Sequence, residues 1–172
     1  GEGGIADALA LAEHFADGGK FCVILGDNIV ERNIRGAADE FRAQDHGARI
    51  LLKQVPDAER FGVAEIRGDR IIGIEEKPAR PKSNYAVTGI YMYDATVFEK
   101  IRTLVPSARN ELEITDVNNA YIREGSLTFS DLEGWWTDAG TFDSLLRATN
   151  LVAKTRRSDA AMEFPETPAP AR

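Results

Sequence analysis

Alternating strand-like and helix-like patterns predict an α/β fold here, with a Rossmann-like, mixed but mostly parallel sheet flanked by helices. Three observations carry that expectation. Phe21-Cys22-Val23-Ile24-Leu25 is an uninterrupted apolar run of strand length, which reads as a buried strand of the parallel type. A helical pattern follows (Ile34, Ala37, Ala38, Phe41), and then a second strand-like stretch from Ala48 to Val55. Such a strand–helix–strand unit is expected to bring two parallel strands together through a right-handed crossover. Finally, acidic residues close strands: Asp27 follows the first apolar run, and Asp138 sits in Trp135-Trp136-Thr137-Asp138-Ala139-Gly140-Thr141, just before a helical stretch.

The remaining elements follow from local signals. Ile5, Ala8, Leu9, Ala12 and Phe15 recur at helical spacing, and Gly18-Gly19 ends that helix. Pro56 closes the second strand. Phe61–Arg67 and Arg70–Glu75 flank Gly68-Asp69, a hairpin signal. Two prolines, Pro78 and Pro81, keep the next stretch a loop. Tyr85–Tyr93 is rich in β-branched and aromatic residues and reads as a strand. Helices are expected over Thr96–Leu104 and Glu111–Glu124, stopped by Pro106 and Gly125, and a strand over Leu127–Leu132. Thr141 is a suitable N-cap for a last helix running to about Arg156. Residues 1–157 thus form one domain, and 158–172, with Pro165, Pro168 and Pro170 and no apolar period, read as a disordered tail.

The bulk numbers exclude several classes. A net charge of −7 argues against a nucleic-acid binder held by phosphate contacts. No stretch reaches the ~20 apolar residues of a membrane-spanning helix, and no signal segment opens the chain. Cys22 is the only cysteine, so no intrachain disulfide can form. It reads as a small core residue, and a cytoplasmic location is expected. Position 1 is Gly and a helical pattern begins almost at once, which suggests a fragment or trimmed product.

Two carboxylates presented at strand ends suit a Mg²⁺ ion that is also held by substrate phosphates. Taken alone, Asp27 reads first as a turn residue bonding its own backbone, and Asp138 can be read as part of the helix start before Thr141. Glu76-Lys77 follows a strand and precedes a proline loop. A lysine there can meet a phosphate as a point charge, and a carboxylate beside it can accept from sugar hydroxyls, although a solvated ion pair explains most such neighbours. Gly62 and Gly89 lie inside strands, where glycine marks either a bulge or a close approach to the backbone. His14 and His46 carry no assigned role.

Taken in order, Leu25-Gly26-Asp27-Asn28, Glu59-Arg60-Phe61-Gly62-Val63, Ile74-Glu75-Glu76-Lys77-Pro78, Pro81 to Tyr91, Arg109 to Asn118 and Trp136 to Thr141 closely resemble the glucose-1-phosphate thymidylyltransferases, within the sugar-nucleotide pyrophosphorylase group. The resemblance spans residues 3 to 156. It implies a Mg²⁺-dependent transfer in which the phosphate oxygen of glucose 1-phosphate attacks the α-phosphorus of dTTP and pyrophosphate leaves. Asp27 and Asp138 match the metal ligands, and with Lys77 form the expected catalytic set. Gly62, Glu76, Lys77 and Val87 match positions contacting the sugar and its phosphate, with Tyr91 close by and Asn28 beside the metal ligand. Gly4 matches a glycine near the nucleobase. Members of the group commonly form oligomers, so a homo-oligomer is an expectation too. The group's glycine-rich loop with its arginine and lysine has no counterpart before Gly4. The resemblance therefore implies a chain truncated at its amino end, which keeps the sugar side and the acid pair but does not turn over. A non-catalytic sugar-phosphate-binding or regulatory domain of the same fold is the second reading.

Overall fold

A computed structural model describes residues 3–163. The backbone divides into two units, one comprising Gly1–Gly26 with Ile34–Leu132, the other Asp27–Asn33 with Glu133–Arg172.

The first unit is built on a six-stranded mixed sheet. Its strands are β1 (Phe21–Ile24), β3 (Ala48–Gln54), β4 (Gly62–Arg67), β5 (Arg70–Glu76), β6 (Tyr85–Tyr93) and β7 (Leu127–Asp131); β2 (Asn28–Val30) belongs to the second unit. The order is β5-β4-β6-β3-β7, with β1 also on β6. β6 is the hub. Along one edge it pairs with β3, and along the other it pairs with β4 at Ala86 and with β1 at Ile90–Tyr93. The sheet is mixed, as expected, but its balance differs from expectation. Only the β3–β7 ladder is parallel, and β6 and the β4–β5 hairpin make the others antiparallel. β1 and β3 do run in the same direction, yet β6 lies between them. Strand direction follows from the crossover; adjacency depends on where a later strand inserts, which no local pattern reveals.

The hairpin turn falls on Gly68-Asp69, between the paired residues Arg67 and Arg70. Gly68 has φ 63°, the left-handed conformation that a two-residue hairpin needs at its first turn position. Gly89 lies where the β3–β6 register slips between Ile50 and Leu52, so its presence in a strand is explained by a bulge.

Helices α1 (Ile5–Ala10), α4 (Val97–Arg102) and α5 (Ile114–Arg123) cover one face of the sheet. Ala6, Leu9, Val97, Phe98, Ile101, Ile114, Val117 and Tyr121 pack there against Ile50, Leu52, Tyr91 and Tyr93. Tyr91 stacks on Tyr93 at 6.0 Å and Tyr93 on Tyr121 at 5.8 Å. The Tyr93 hydroxyl donates to Asn118 at 2.7 Å. A second helix, α2 (Glu13–Ala16), continues α1, and α3 (Arg35–Ala43) precedes β3. Asn119 on α5 accepts from Ile74 N–H at 3.0 Å and donates to Ile74 C=O at 2.8 Å. The helix is thereby pinned to the sheet-edge strand β5, whose end carries Glu76 and Lys77.

β1 corrects one expectation. Its residues alternate between half-buried and exposed, with Cys22 exposed and Ile24 55% exposed. Cys22 is therefore not a core residue. A continuous apolar run implies burial on both faces only where both faces are covered, and among the described residues one face of β1 is not.

The second unit is a two-stranded ribbon, β2 (Asn28–Val30) against β8 (Trp136–Asp138), followed by α6 (Phe142–Glu163). Thr141 is the N-cap: its Oγ1 accepts from Ser144 N–H at 3.2 Å, and Ser144 Oγ accepts from Thr141 N–H at 3.0 Å. This reciprocal arrangement is a capping box with serine in place of the usual glutamate. The expected end near Arg156 is overrun, because no proline interrupts the sequence before Pro165. The rest of the expected tail, 164–172, lies outside the described residues.

Candidate functional site

In the second unit the ribbon sets the geometry. Asn28 pairs across from Asp138, and Val30 from Trp136. The Ala139 N–H donates to the Asp27 carbonyl at 2.8 Å, which extends the ribbon by one pair and places Asp27 and Asp138 at its mouth. A Cβ placed on Gly140 would stand 3.2 Å from Asp27 Oδ2 and 3.6 Å from Asp138 Oδ2. One oxygen from each carboxylate therefore faces the same small space, which is open because residue 140 has no side chain. Asp138 is part of β8 and the cap is Thr141, so the helix-start reading of Asp138 fails.

This donor set suits Mg²⁺, a hard cation commonly held by one or two carboxylates and completed by waters and substrate phosphates. Among the described residues no cluster of three or more His, Cys, Asp or Glu side chains is arranged to hold a metal. The pair is thus no enclosed cage of the kind that a structural metal occupies.

In the first unit a polar cluster gathers where β5 ends. Gly62 opens β4 directly across from Glu76. A Cβ there would lie 3.4 Å from both Glu76 Oε2 and Thr115 Oγ1. Here the strand glycine marks a close approach rather than a bulge. Thr115 donates to Glu76 Oε2 at 2.7 Å. Arg109 stands 3.6 Å from Glu76 Oε1, 3.3 Å from Glu111 and 2.8 Å from Glu113. Burial pushes the Glu113 carboxyl up, but hydrogen bonds from Ser107 and Arg109, with the charges of Arg109 and Lys77, outweigh it and hold the group below its ordinary range. The bond to Glu113 in turn raises the Arg109 guanidinium.

Lys77 is exposed and has φ 45°, a left-handed conformation unusual for a residue with a Cβ. Its N–H donates to the Phe61 carbonyl at 3.0 Å. Pro78 follows and Glu76 is tied down by Thr115, so the bend at residue 77 turns the lysine out of the strand.

Val87 and Tyr91 lie in the hydrophobic core, 9% and 4% exposed. Gly4, with φ 87°, sits against Leu112, whose carbonyl a Cβ would approach at 2.6 Å. As individual residues, Thr115, Arg109 and Glu113 carry no signal in the sequence. The run from Arg109 to Asn118 stood out only as a motif, and nothing in helical spacing says that Thr115 would meet a carboxylate on β5.

The family model for nucleotidyl transferases matches residues 1–155. The chain belongs to the nucleotidyl transferase family. Its relatives include the glucose-1-phosphate thymidylyltransferase of Neisseria meningitidis serogroup A, 44% identical over 87% of this chain and 53% of that protein. The glucose-1-phosphate thymidylyltransferase of an Actinoplanes species is 43% identical over 87% of this chain and 50% of its own length. The chain spans about half the length of these curated relatives. A crystal structure of a candidate glucose-1-phosphate thymidylyltransferase from Bacillus anthracis, in complex with sucrose, superposes with a TM-score of 0.83 at 57% identity, covering 87% of this chain and 61% of that one. A UDP-glucose pyrophosphorylase with UDP-glucose bound superposes at 0.81 with 22% identity, a likeness of fold alone. The resemblance seen in the motifs thus agrees with the family and with its named relatives.

Proposed function

We propose that this nucleotidyl transferase family protein serves the Mg²⁺-dependent joining of glucose 1-phosphate to dTTP with release of pyrophosphate. The observation that carries the reading is the pair of carboxylate oxygens, from Asp27 and Asp138, facing one open space beside Gly140. The identity of the substrates is taken from the names of the relatives.

Asp27 and Asp138 would hold the cation. When bound, it supplies neutralisation of phosphate charge and a template for the reacting groups. The chain's own side chains do the rest. Lys77, turned out of its strand, would pair with the phosphate of the sugar phosphate, whose oxygen is the nucleophile. Glu76 would accept from a sugar hydroxyl, its carboxylate held in one rotamer by Thr115 and Arg109. Asn28, Gly4, Val87 and Tyr91 are proposed as further substrate contacts, the last two through the backbone of a core strand. The bond formed joins the sugar phosphate oxygen to the α-phosphorus; the bond broken is the one to the β-phosphate, which leaves as pyrophosphate. No covalent enzyme intermediate is required, and catalysis is mostly positioning and charge neutralisation.

Calorimetry with glucose 1-phosphate and with dTTP, each in Mg²⁺, together with a pyrophosphate-release assay, tests this. Binding of the sugar phosphate that is lost in Lys77→Ala supports the reading. Binding of neither ligand contradicts it, and sugar phosphate binding without triphosphate binding favours the non-catalytic alternative.

A further inference from the structure

The second unit contains a hydrogen-bond chain that ends on Asp27. Trp136 is 9% exposed, and its indole N–H donates to Asn28 Oδ1 at 2.7 Å. The Asn28 amide then donates through Nδ2 to Asp27 Oδ1 at 3.0 Å. The ribbon makes the first bond reachable. Asn28 pairs with Asp138 and Val30 with Trp136, so Trp136 and Asn28 are diagonal neighbours, a separation an aromatic side chain spans.

The polarity of this chain admits one arrangement. An indole N–H only donates, and an ionised carboxylate only accepts. A side-chain amide can serve both, with its oxygen toward the indole and its nitrogen toward the carboxylate. Once Trp136 has set the amide, Asp27 is held through Oδ1. The oxygen left facing the space beside Gly140, opposite Asp138 Oδ2, is Oδ2.

We infer that Trp136, acting through Asn28, is a positioning residue for the Asp27 carboxylate, fixing which of its oxygens is presented to a divalent cation. The inference rests on the cation reading above and assigns Trp136 a role beyond filling the ribbon's buried side. Groups that orient a metal ligand from behind typically matter by about tenfold or more in affinity.

The two tryptophans provide the test, because the Trp135 indole bonds elsewhere, to Thr155 Oγ1 at 2.9 Å. In a ¹⁵N-labelled full chain titrated with Mg²⁺, the Trp136 indole signal should shift saturably and the Trp135 signal should stay. The Trp135 signal also reports whether each variant is folded. Calorimetric Mg²⁺ affinity should fall about tenfold in Trp136→Phe, which keeps the ring and loses the donor, and to a similar degree in Asn28→Ala. The double variant should be no weaker than Asn28→Ala, since the two residues act in series. If Trp136→Phe binds Mg²⁺ like the unsubstituted chain while Asp27→Asn does not, the positioning role is wrong and the cation reading stands. If the unsubstituted chain takes up no Mg²⁺, or if either Asp27→Asn or Asp138→Asn binds it normally, the cation reading fails and the positioning role fails with it.

Discussion

Gly140 leaves open a space between two carboxylates, and Gly62, in the other unit, lies beside the Glu76 carboxylate and the Thr115 hydroxyl. Gly140→Ala would put a Cβ 3.2 Å from Asp27 Oδ2, closer than an oxygen comfortably tolerates. Its backbone is not in the left-handed region, so the fold should accept alanine. The expected result is a melting temperature close to the original and Mg²⁺ affinity lowered about tenfold, read by calorimetry. At the other cluster, Thr115→Val keeps the volume and removes the donor to Glu76. Losing a hydrogen bond to a charged group is worth about 1.5–3 kcal/mol, so glucose 1-phosphate affinity should fall about tenfold or more. An unchanged dissociation constant would mean that Glu76 needs no support. These details were only partly legible beforehand. Asp27, Asp138, Glu76 and Lys77 could be singled out because they stand at strand ends. The role of Gly140 depends on where two distant carboxylates point, and that of Thr115 on how α5 lies against β5, both consequences of tertiary packing.

At the scale of elements, α5 links the core to the Glu76–Lys77 cluster. Asn119 satisfies both backbone groups of Ile74, and Asn119→Ala would leave these partly buried groups unpaired. The expected cost is about 1–3 kcal/mol, seen as a lower denaturation midpoint and faster amide exchange in β5. A second tie is Asp94, which accepts from Gly47 N–H, from the N–H and hydroxyl of Thr96 and from the Tyr121 hydroxyl. Burial pushes its carboxyl up, but these hydrogen bonds outweigh burial and hold it below the usual range. Glu113 is held low in the same sense. A carboxyl with a depressed folded-state pKa contributes stability that is fully present above its unfolded value, about 4. That contribution is lost as pH falls through the folded value. Stability should therefore decline below about pH 4, and Asp94→Ala should flatten that part of the profile in pH-dependent denaturation. Elements themselves were well anticipated: the hairpin on Gly68-Asp69, the strand Tyr85–Tyr93 and the Thr141 cap all rest on short-range chemistry. The antiparallel balance of the sheet was not, because β6 enters between β1 and β3 from far along the chain.

On the scale of the whole molecule, both units leave large apolar side chains in water. Leu11, Phe15 and Ile24 are 86%, 88% and 55% exposed in the first, and Phe142, Leu145 and Leu146 are 93%, 48% and 62% exposed in the second. Exposed apolar surface of this kind favours association. Light scattering of the chain should show self-association that Phe15→Glu and Phe142→Glu reduce; a monodisperse monomer would contradict that expectation. No described helix is long and apolar enough to cross a membrane. The central claim, however, is that residues 27 and 138 share one cation, and the most direct measurement is a Mn²⁺ titration followed by electron paramagnetic resonance on the chain and on its Asp27→Asn and Asp138→Asn variants. One Mn²⁺ should bind to the unsubstituted chain and be lost in each variant alone; full Mn²⁺ occupancy persisting in either variant would contradict a shared site.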